Sequence, residues 1–189
     1  ETREDIAERI EESAEEIDNR PYTERFPLSF GYSNHYTTVG PYDDGEAHFL
    51  RMAGLSLEYA FKQYLTAGVQ DVMLHVDYAL GETHFSVSVS PVVTATFFPF
   101  RRLQTESGIG VLVQAQSAEG GGSDVAVAPF GLLGLRVWLA DHISLGPVLR
   151  VGYLSSGNLF ASALPSDMPD VMPEGAFWLD AGLAVKLHF

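Results

Sequence analysis

The sequence predicts an all-β protein, an eight-stranded antiparallel up-and-down transmembrane β-barrel preceded by a short N-terminal amphipathic α-helix. Two observations support this fold class. Apolar and polar residues alternate in eight successive segments, and the connections between these segments mostly alternate between long and short. A period of two places successive side chains on opposite faces of an extended strand, so each segment is predicted to be a β-strand with one apolar face.

The last strand shows the alternation most clearly. Every second side chain there lacks a polar atom: Phe177, Leu179, Ala181, Leu183, Val185, Leu187 and Phe189. The intervening positions are mostly small or charged, among them Gly182, Asp180 and Lys186. The eight predicted strands are 25–38, 47–62, 66–79, 84–98, 107–117, 124–139, 143–156 and 176–189. We interpret the apolar set as facing lipid and the other set as facing a narrow interior.

Composition limits the domain organisation and the partners. A chain of 189 residues fits one domain, which we divide into an acidic helix and linker (1–24) and a barrel (25–189). The formal charge of -14 argues against a nucleic-acid partner, because little basic surface is present to neutralise phosphates. The absence of cysteine excludes disulfides and thiolate metal sites. The chain begins with Glu1 and no apolar signal precedes it, so we expect a mature or trimmed product.

The N-terminal helix is predicted over residues 2–18, where acidic residues surround a thin apolar stripe. So acidic a helix is not expected to lie on an anionic membrane surface. Three interpretations are open: a solvated appendage, a helix that docks on a partner or on a second copy, or one that lodges against the barrel mouth. The candidate partner contacts are Ile6, Ile10 and Ile17.

Charged side chains within the strands mostly share the parity of the small and polar set. They are Glu58, Lys62, Asp71, His75, Asp77, Arg136, Arg150, Asp180 and Lys186. The interior of an eight-stranded barrel is just wide enough for side chains to fill, so we expect an ionic network that plugs it. An approximate register places Glu58 opposite Asp71. A gated conduit through the same residues is the alternative.

A soluble barrel of the lipocalin kind is the main structural alternative. It would turn the apolar faces inward, around an apolar ligand. Rows of Phe, Leu and Val on all eight strands are too bulky for so narrow a lumen, whereas Gly and Ser dominate the opposite faces. The membrane barrel is therefore favoured.

Residues 25–189 resemble the small eight-stranded outer-membrane barrels, the superfamily of OmpA-, OmpX- and OmpW-like proteins. Three segments carry the resemblance: Gly54–Phe61, Gly134–Gly146 and Ala181–Phe189. It implies a bacterial outer membrane, contact with its lipid, and an assembly signal at Phe189 that the barrel-assembly machinery reads. An even strand count, with long outer loops and short periplasmic turns, predicts that both termini are periplasmic.

One hairpin offers a hydrolytic alternative. His84 and Ser86 share one face, and a turn at Gly81-Glu82 would place Asp77 opposite Ser86. This resembles the His-x-Ser pair of the outer-membrane lipid A deacylases. That family, however, has Asn where Val87 stands, and its site faces lipid. We therefore expect no catalytic residue. We also expect no cofactor or metal, since neither His75 with Asp77 nor the pair Asp43-Asp44 has enough nearby ligands.

The last outer loop, Gly157–Glu174, contains more apolar residues than we expect of a loop that contacts only water. Three interpretations are open: the loop folds over the barrel mouth, it binds a partner or a surface ligand, or it is disordered. The candidate contacts are Leu159, Phe160, Leu164, Met168 and Met172. We therefore expect a non-enzymatic anchor or accessory subunit of a membrane-protein assembly. A narrow conduit for small or apolar molecules is the alternative function, and a lipid-modifying hydrolase is the third.

Overall fold

The computed structural model is a closed barrel in which successive strands pair antiparallel and β1 pairs with β8. It describes residues 25–39, 48–62, 64–79, 82–100, 102–117, 123–155 and 177–189. The strands are β1 Leu28–Val39, β2 His48–Lys62, β3 Leu65–Ala79, β4 Glu82–Phe100, β5 Leu103–Ser117, β6 Ser123–Ala140, β7 Ile143–Tyr153 and β8 Phe177–His188. The predicted fold class and strand count are confirmed.

The helix predicted for residues 2–18 lies outside the described residues and stays a prediction. The same holds for the partner contacts proposed at Ile6, Ile10, Ile17, Leu159, Phe160, Leu164, Met168 and Met172. Within the described part of the chain, no helix has the length and apolar character needed to cross a membrane.

The two ends of the barrel differ in their connections. At the end where β1 begins and β8 finishes, here called the terminal rim, strands are separated only by residues 63–64, 101–102 and 141–142. At the opposite end, the loop rim, the intervals are 40–47, 80–81, 118–122 and 154–176. The sequence predicts a longer connection between β4 and β5, from Pro99 to Glu106. It is shorter because β5 already starts at Leu103.

Large apolar side chains are exposed on the outer face of every strand. Examples, in order from β1 to β8, are Phe30, Leu57, Leu74, Val93, Ile109, Leu133, Val151 and Leu183. Water-soluble monomers rarely expose continuous apolar surface larger than a few hundred Å². A belt around the whole barrel therefore suits an apolar surrounding phase.

Strand β3 changes its inward parity at Asp71. Gln70 and Asp71 are both buried although they are neighbours in the chain, and Val72 beyond them is exposed. Asp71 has a φ of 52°, in the left-handed region, and the pairing with β2 and β4 shifts its register around this residue. These are the marks of a β-bulge, which inserts one extra residue into a strand. The bulge turns two successive polar side chains into the barrel.

The interior contains an apolar core as well as polar residues. Its members are Val92, Leu112, Ala126, Ala128, Phe130, Leu132, Val148, Leu154 and Trp178. The rings of Phe130 and Trp178 meet edge to face, with centroids 5.8 Å apart. A Cβ atom at Gly152 would overlap the Trp178 indole, so the glycine makes room for this ring within the narrow lumen.

Backbone hydrogen bonds between the two ends of the described chain complete the closure. The Leu28 amide donates to the Phe189 carbonyl at 3.2 Å, and the Phe189 amide donates to the Leu28 carbonyl at 2.8 Å. Register pairing continues from Ser29 with His188 to Val39 with Trp178. No strand edge is left unpaired among the described strands, which removes the usual template for edge-to-edge association.

Substitution of Gly146 tests the close packing of the wall. A Cβ atom there would clash with the Leu135 carbonyl oxygen and lie 2.9 Å from the Arg136 Cα, both on the neighbouring strand. Gly146→Ala is expected to lower the free energy of unfolding by about 1–3 kcal/mol, as overpacking does. Urea titration of the refolded barrel in lipid vesicles measures this.

Gly131→Ala is the matched control, because a Cβ atom at Gly131 meets nothing within 4 Å. It is expected to change stability by less than about 1 kcal/mol. Equal losses for the two variants would contradict the packing derived for Gly146.

Candidate functional site: the ionic interior of the barrel

Ionisable side chains from seven strands meet inside the barrel. Among the predicted network residues, the structure buries Glu58, Asp71, Arg136, Arg150, Asp180 and Lys186 in the interior, each with 4% or less of its surface exposed. They form two groups with different partners. We call them the Arg150 cluster and the Lys186 cluster.

The Arg150 cluster consists of His35, Asp71, Arg150 and Asp180. The Arg150 guanidinium forms ion pairs with Asp71 and with Asp180, which lies directly opposite it on β8. His35 bridges the two acids: its Nε2 lies 3.3 Å from Asp71 Oδ1, and its Nδ1 lies 3.4 Å from Asp180 Oδ2. Arg150 Nη2 also approaches His35 Nδ1 at 2.9 Å. The cluster thus joins strands β1, β3, β7 and β8 across the lumen.

The Lys186 cluster is centred on Glu58, Glu106, Arg136 and Lys186. Lys186 Nζ lies 2.6 Å from both carboxylate oxygens of Glu58 and 3.8 Å from Glu106 Oε1. Arg136 Nε donates to Glu106 Oε1 at 2.7 Å. Two carboxylates therefore face two cations, and the cluster is balanced in charge.

Neutral side chains extend the Lys186 cluster. Gln70 Nε2 donates to Glu58 at 2.8 Å, and Gln104 Nε2 donates to Glu106 at 2.9 Å. Trp138 Nε1 in turn donates to the side-chain oxygen Oε1 of Gln104 at 2.9 Å. An isolated buried charge is costly, whereas paired and hydrogen-bonded charges are tolerated. The arrangement therefore fills and holds the barrel interior.

The two clusters adjoin different surroundings. The Arg150 guanidinium carbon lies 5.6 Å from the centre of the Phe130 ring, so this cation borders the apolar core. On the terminal-rim side, the Trp138 and His188 rings approach with centroids 4.0 Å apart, and Ser144 Oγ lies 2.8 Å from His188 Nε2. Ionic, aromatic and aliphatic groups thus succeed one another along the lumen.

Lys62 does not join either cluster. Its side chain is exposed, because it is the last residue of β2 and follows a register shift between Ala60 and Lys62 at the terminal rim. The side chains of His75 and Asp77 lie outside what the structure describes, although their backbones belong to β3.

The predicted pairing of Glu58 with Asp71 is wrong. Glu58 lies opposite Gly68 in the β2–β3 register, and the bulge at Asp71 displaces the rest of β3. The two acids consequently belong to different clusters, in which Asp71 pairs with Arg150 and Glu58 pairs with Lys186.

Five contributors to the clusters are not predicted from the sequence: His35, Gln70, Gln104, Glu106 and Trp138. His35 shares the inward parity of Ser29 and Ser33, so the alternation of β1 contained a usable signal. Gln104 and Glu106 precede the predicted start of the fifth strand. There the outward positions are Thr105 and Ser107, so apolar alternation is absent. The polar start of β5 therefore gave no indication of a strand.

The predicted position of Asp77 opposite Ser86 in the β3–β4 hairpin is wrong. The connection of this hairpin lies at residues 80–81, one position earlier than predicted, so Asp77 is opposite His84 and His75 is opposite Ser86. Ser86 is buried with 4% exposure, away from the outer face. Among the described residues, no group of three or more His, Asp or Glu side chains is arranged to hold a metal ion.

Removal of Arg150 tests the Arg150 cluster. Arg150→Met leaves Asp71 and Asp180 without their cation, and loss of one partner of a buried ion pair typically costs about 3–5 kcal/mol. The variant is expected to lose that much free energy of unfolding in the urea titration. Adding Asp71→Asn and Asp180→Asn should recover part of the loss.

Lys62→Met serves as the matched control, since it removes an exposed cation of the same barrel. It should change stability by no more than about 0.5 kcal/mol. A loss for Lys62→Met as large as that for Arg150→Met would contradict the assignment of the two residues.

Comparison with known proteins yields similarity of structure but not of sequence. No protein-family model and no curated protein matches the chain. Neisserial surface protein A is 11% identical, with a TM-score of 0.60 over 86% of this chain and 97% of that one. The N-terminal β-barrel domain of Pseudomonas aeruginosa OprF is 13% identical, with a TM-score of 0.50 over 85% and 97%. Ail, the attachment invasion locus protein of Yersinia pestis, is 10% identical, with a TM-score of 0.51 over 86% and 97%.

These likenesses extend over almost the whole length of the three known structures and at least 85% of this chain. At such low identity they concern the course of the backbone and not the residues of a site. The fold is that of the small eight-stranded outer-membrane barrels.

Proposed function

We propose that this protein is a non-enzymatic barrel that spans a bacterial outer membrane and serves as an anchor or accessory subunit of a membrane-protein assembly. One observation carries the proposal: the outside of the barrel is apolar on all eight strands, and the inside is filled with paired charges and apolar side chains. The first half of this observation supports a membrane location. The second half supports a structural role and not a conducting one.

Aromatic side chains support the membrane location further. Several are exposed near the terminal rim: Tyr59, Phe61, Tyr64, Phe97, Phe100 and Phe189. Aromatic residues are enriched where a membrane protein meets the interface between lipid and water. This rim would therefore lie at one surface of the bilayer.

The lengths of the connections support an orientation with the terminal rim on the periplasmic side. Outer-membrane barrels have short turns on the periplasmic side and longer loops outside. The connections at the terminal rim are all two residues long, whereas three of the four at the loop rim are longer. This difference would make the terminal rim, and with it both termini, periplasmic. Phe189 is 63% exposed at this rim, where the assembly machinery would have access to it as a signal.

The closed interior argues against the conduit. Both ionic clusters are made of contacts between side chains that are themselves buried, and the apolar core adjoins the Arg150 cluster. An ion would have to separate these pairs or cross an apolar layer, and each step is costly. The burial of Ser86 likewise gives a lipid no access to its hydroxyl group, so no observation favours the hydrolase.

Residues 1–24 and the last loop remain the proposed contacts with partners. The chain enters the barrel at the terminal rim, where Arg25 pairs with Asp141 at 3.5 Å and the Phe26 ring lies 4.4 Å from His142. These contacts support a helix that projects on the periplasmic side. Its isoleucine stripe would meet the partner there, and the loop over residues 157–174 would act on the outer side.

Conductance measurements test the closed interior. The protein inserted into a planar lipid bilayer is expected to give no stable conductance steps, because the buried ion pairs leave ions no path. The conductance of the Arg150→Met variant is compared with that of the unmodified protein, because this substitution loosens the cluster next to the apolar core. Steady conductance of the unmodified protein would contradict the proposal.

Deletion of residues 1–20 tests the accessory role. The shortened protein is expected to keep the heat-modifiable mobility of a folded barrel and to lose a partner that co-purifies with the full chain in mild detergent. Ile6→Ser combined with Ile10→Ser and Ile17→Ser should have the same effect, because these changes remove only the apolar stripe. Recovery of a lone monomer with and without residues 1–20 would argue against the role.

A further inference from the structure

A small cavity lies inside the Arg150 cluster. Its volume is about 10 Å³, counted as the space open to the centre of a water molecule. It lies between the ionic groups and the apolar core, and its walls are formed by His35, Thr37, Asp71, Met73, Leu112, Arg150, Trp178 and Asp180. A space of roughly 10–15 Å³ by this measure holds one water molecule.

Three of these lining residues each carry a buried polar atom without a hydrogen-bond partner. The atoms are Trp178 Nε1, Arg150 Nε and Asp180 Oδ1. The residues are exposed by only 2%, 4% and 3% of their surfaces, so bulk water does not reach them. Leaving a buried polar group unpaired costs about 1–3 kcal/mol, and more for a charged group. Because all three residues line one cavity, a single ligand there could satisfy the three groups together.

We propose that this cavity binds one structural water molecule. The indole and the guanidinium Nε can only donate, and the carboxylate oxygen can only accept. A water molecule accepts two hydrogen bonds and donates two, so it can receive those of Trp178 and Arg150 and give one to Asp180. Buried waters make about three hydrogen bonds of this kind.

Other small ligands fit the site less well. A metal cation would face two N–H donors and the positive charge of Arg150. An anion would face the carboxylates of Asp71 and Asp180, which also line the cavity. An apolar occupant would leave all three polar atoms unpaired. Only a neutral group that both donates and accepts satisfies them.

The water would connect two parts of the interior that otherwise have different chemistry. Trp178 packs edge to face against Phe130 in the apolar core, whereas Arg150 and Asp180 belong to the ionic cluster. A hydrogen bond through the water would fix the indole orientation relative to the ion pair. The second tryptophan, Trp138, needs no such link because Gln104 already accepts its N–H at 2.9 Å.

The two tryptophans make a paired experiment possible, because the chain contains no others. The full-length protein is labelled with ¹⁵N-tryptophan and placed in lipid nanodiscs, and its two indole signals are recorded by NMR. Trp178→Phe and Trp138→Phe each remove one signal and so assign both. Cross-relaxation with water is then measured in the unmodified protein, as paired NOE and ROE spectra that separate a bound water from proton exchange.

The Trp178 indole proton is expected to show a direct cross peak to water, and the Trp138 indole proton is expected to show none. A crystal structure should place one density peak within about 3.2 Å of Trp178 Nε1, Arg150 Nε and Asp180 Oδ1. The proposal would be overturned if the cross peak at Trp178 were absent or if both indoles showed equal cross peaks. A density peak whose height depends on the cation of the salt would also overturn it.

Discussion

The guanidinium of Arg150 cannot be buried without compensation, and much of the barrel interior is arranged around this constraint. Its charge is met by Asp71 from β3 and Asp180 from β8, while His35 from β1 bridges the two acids. In a lumen with room for little more than side chains, these contacts take the place that solvent occupies in a wider barrel. They fix the relative positions of strands that do not pair with each other, so the filling acts as a brace for the wall.

Asp71 can reach Arg150 because β3 departs from regular geometry. The extra residue at the bulge places Gln70 and Asp71 on the same side, and each then serves a different cluster: Gln70 hydrogen-bonds Glu58, and Asp71 pairs with Arg150. A left-handed φ at a non-glycine residue is unfavourable in itself and persists where its surroundings impose it. Here the ion pair and the hydrogen bond that Ser88 Oγ donates to the Asp71 carbonyl hold the residue in place.

The sequence predicts the wall of the barrel better than its contents. Lipid contact demands an apolar side chain at each outward position, which is every second residue of a strand, so β8 and most other strands can be recognised from their alternation alone. The start of β5 lacks this signal because Thr105 and Ser107 face outward there.

Partners across the lumen depend on the registers of the strands and on the bulge, which alternation does not encode. The alternation correctly places Glu58 away from the outer face. It cannot show that Glu58 forms its ion pair with Lys186, which is distant in sequence. Nor does it show that Lys62 lies beyond the interior.

The pairing of Leu28 with Phe189 has a consequence for how the protein is made. The edge of β1 can be paired only when β8 is present, so the barrel cannot close before the chain from Leu28 to Phe189 has been made. Contacts between residues so far apart in the chain also form slowly. Until then the chain has an open sheet edge and a full set of exposed apolar side chains, both of which favour aggregation. The chain therefore has to be kept from edge-to-edge association until β1 and β8 meet.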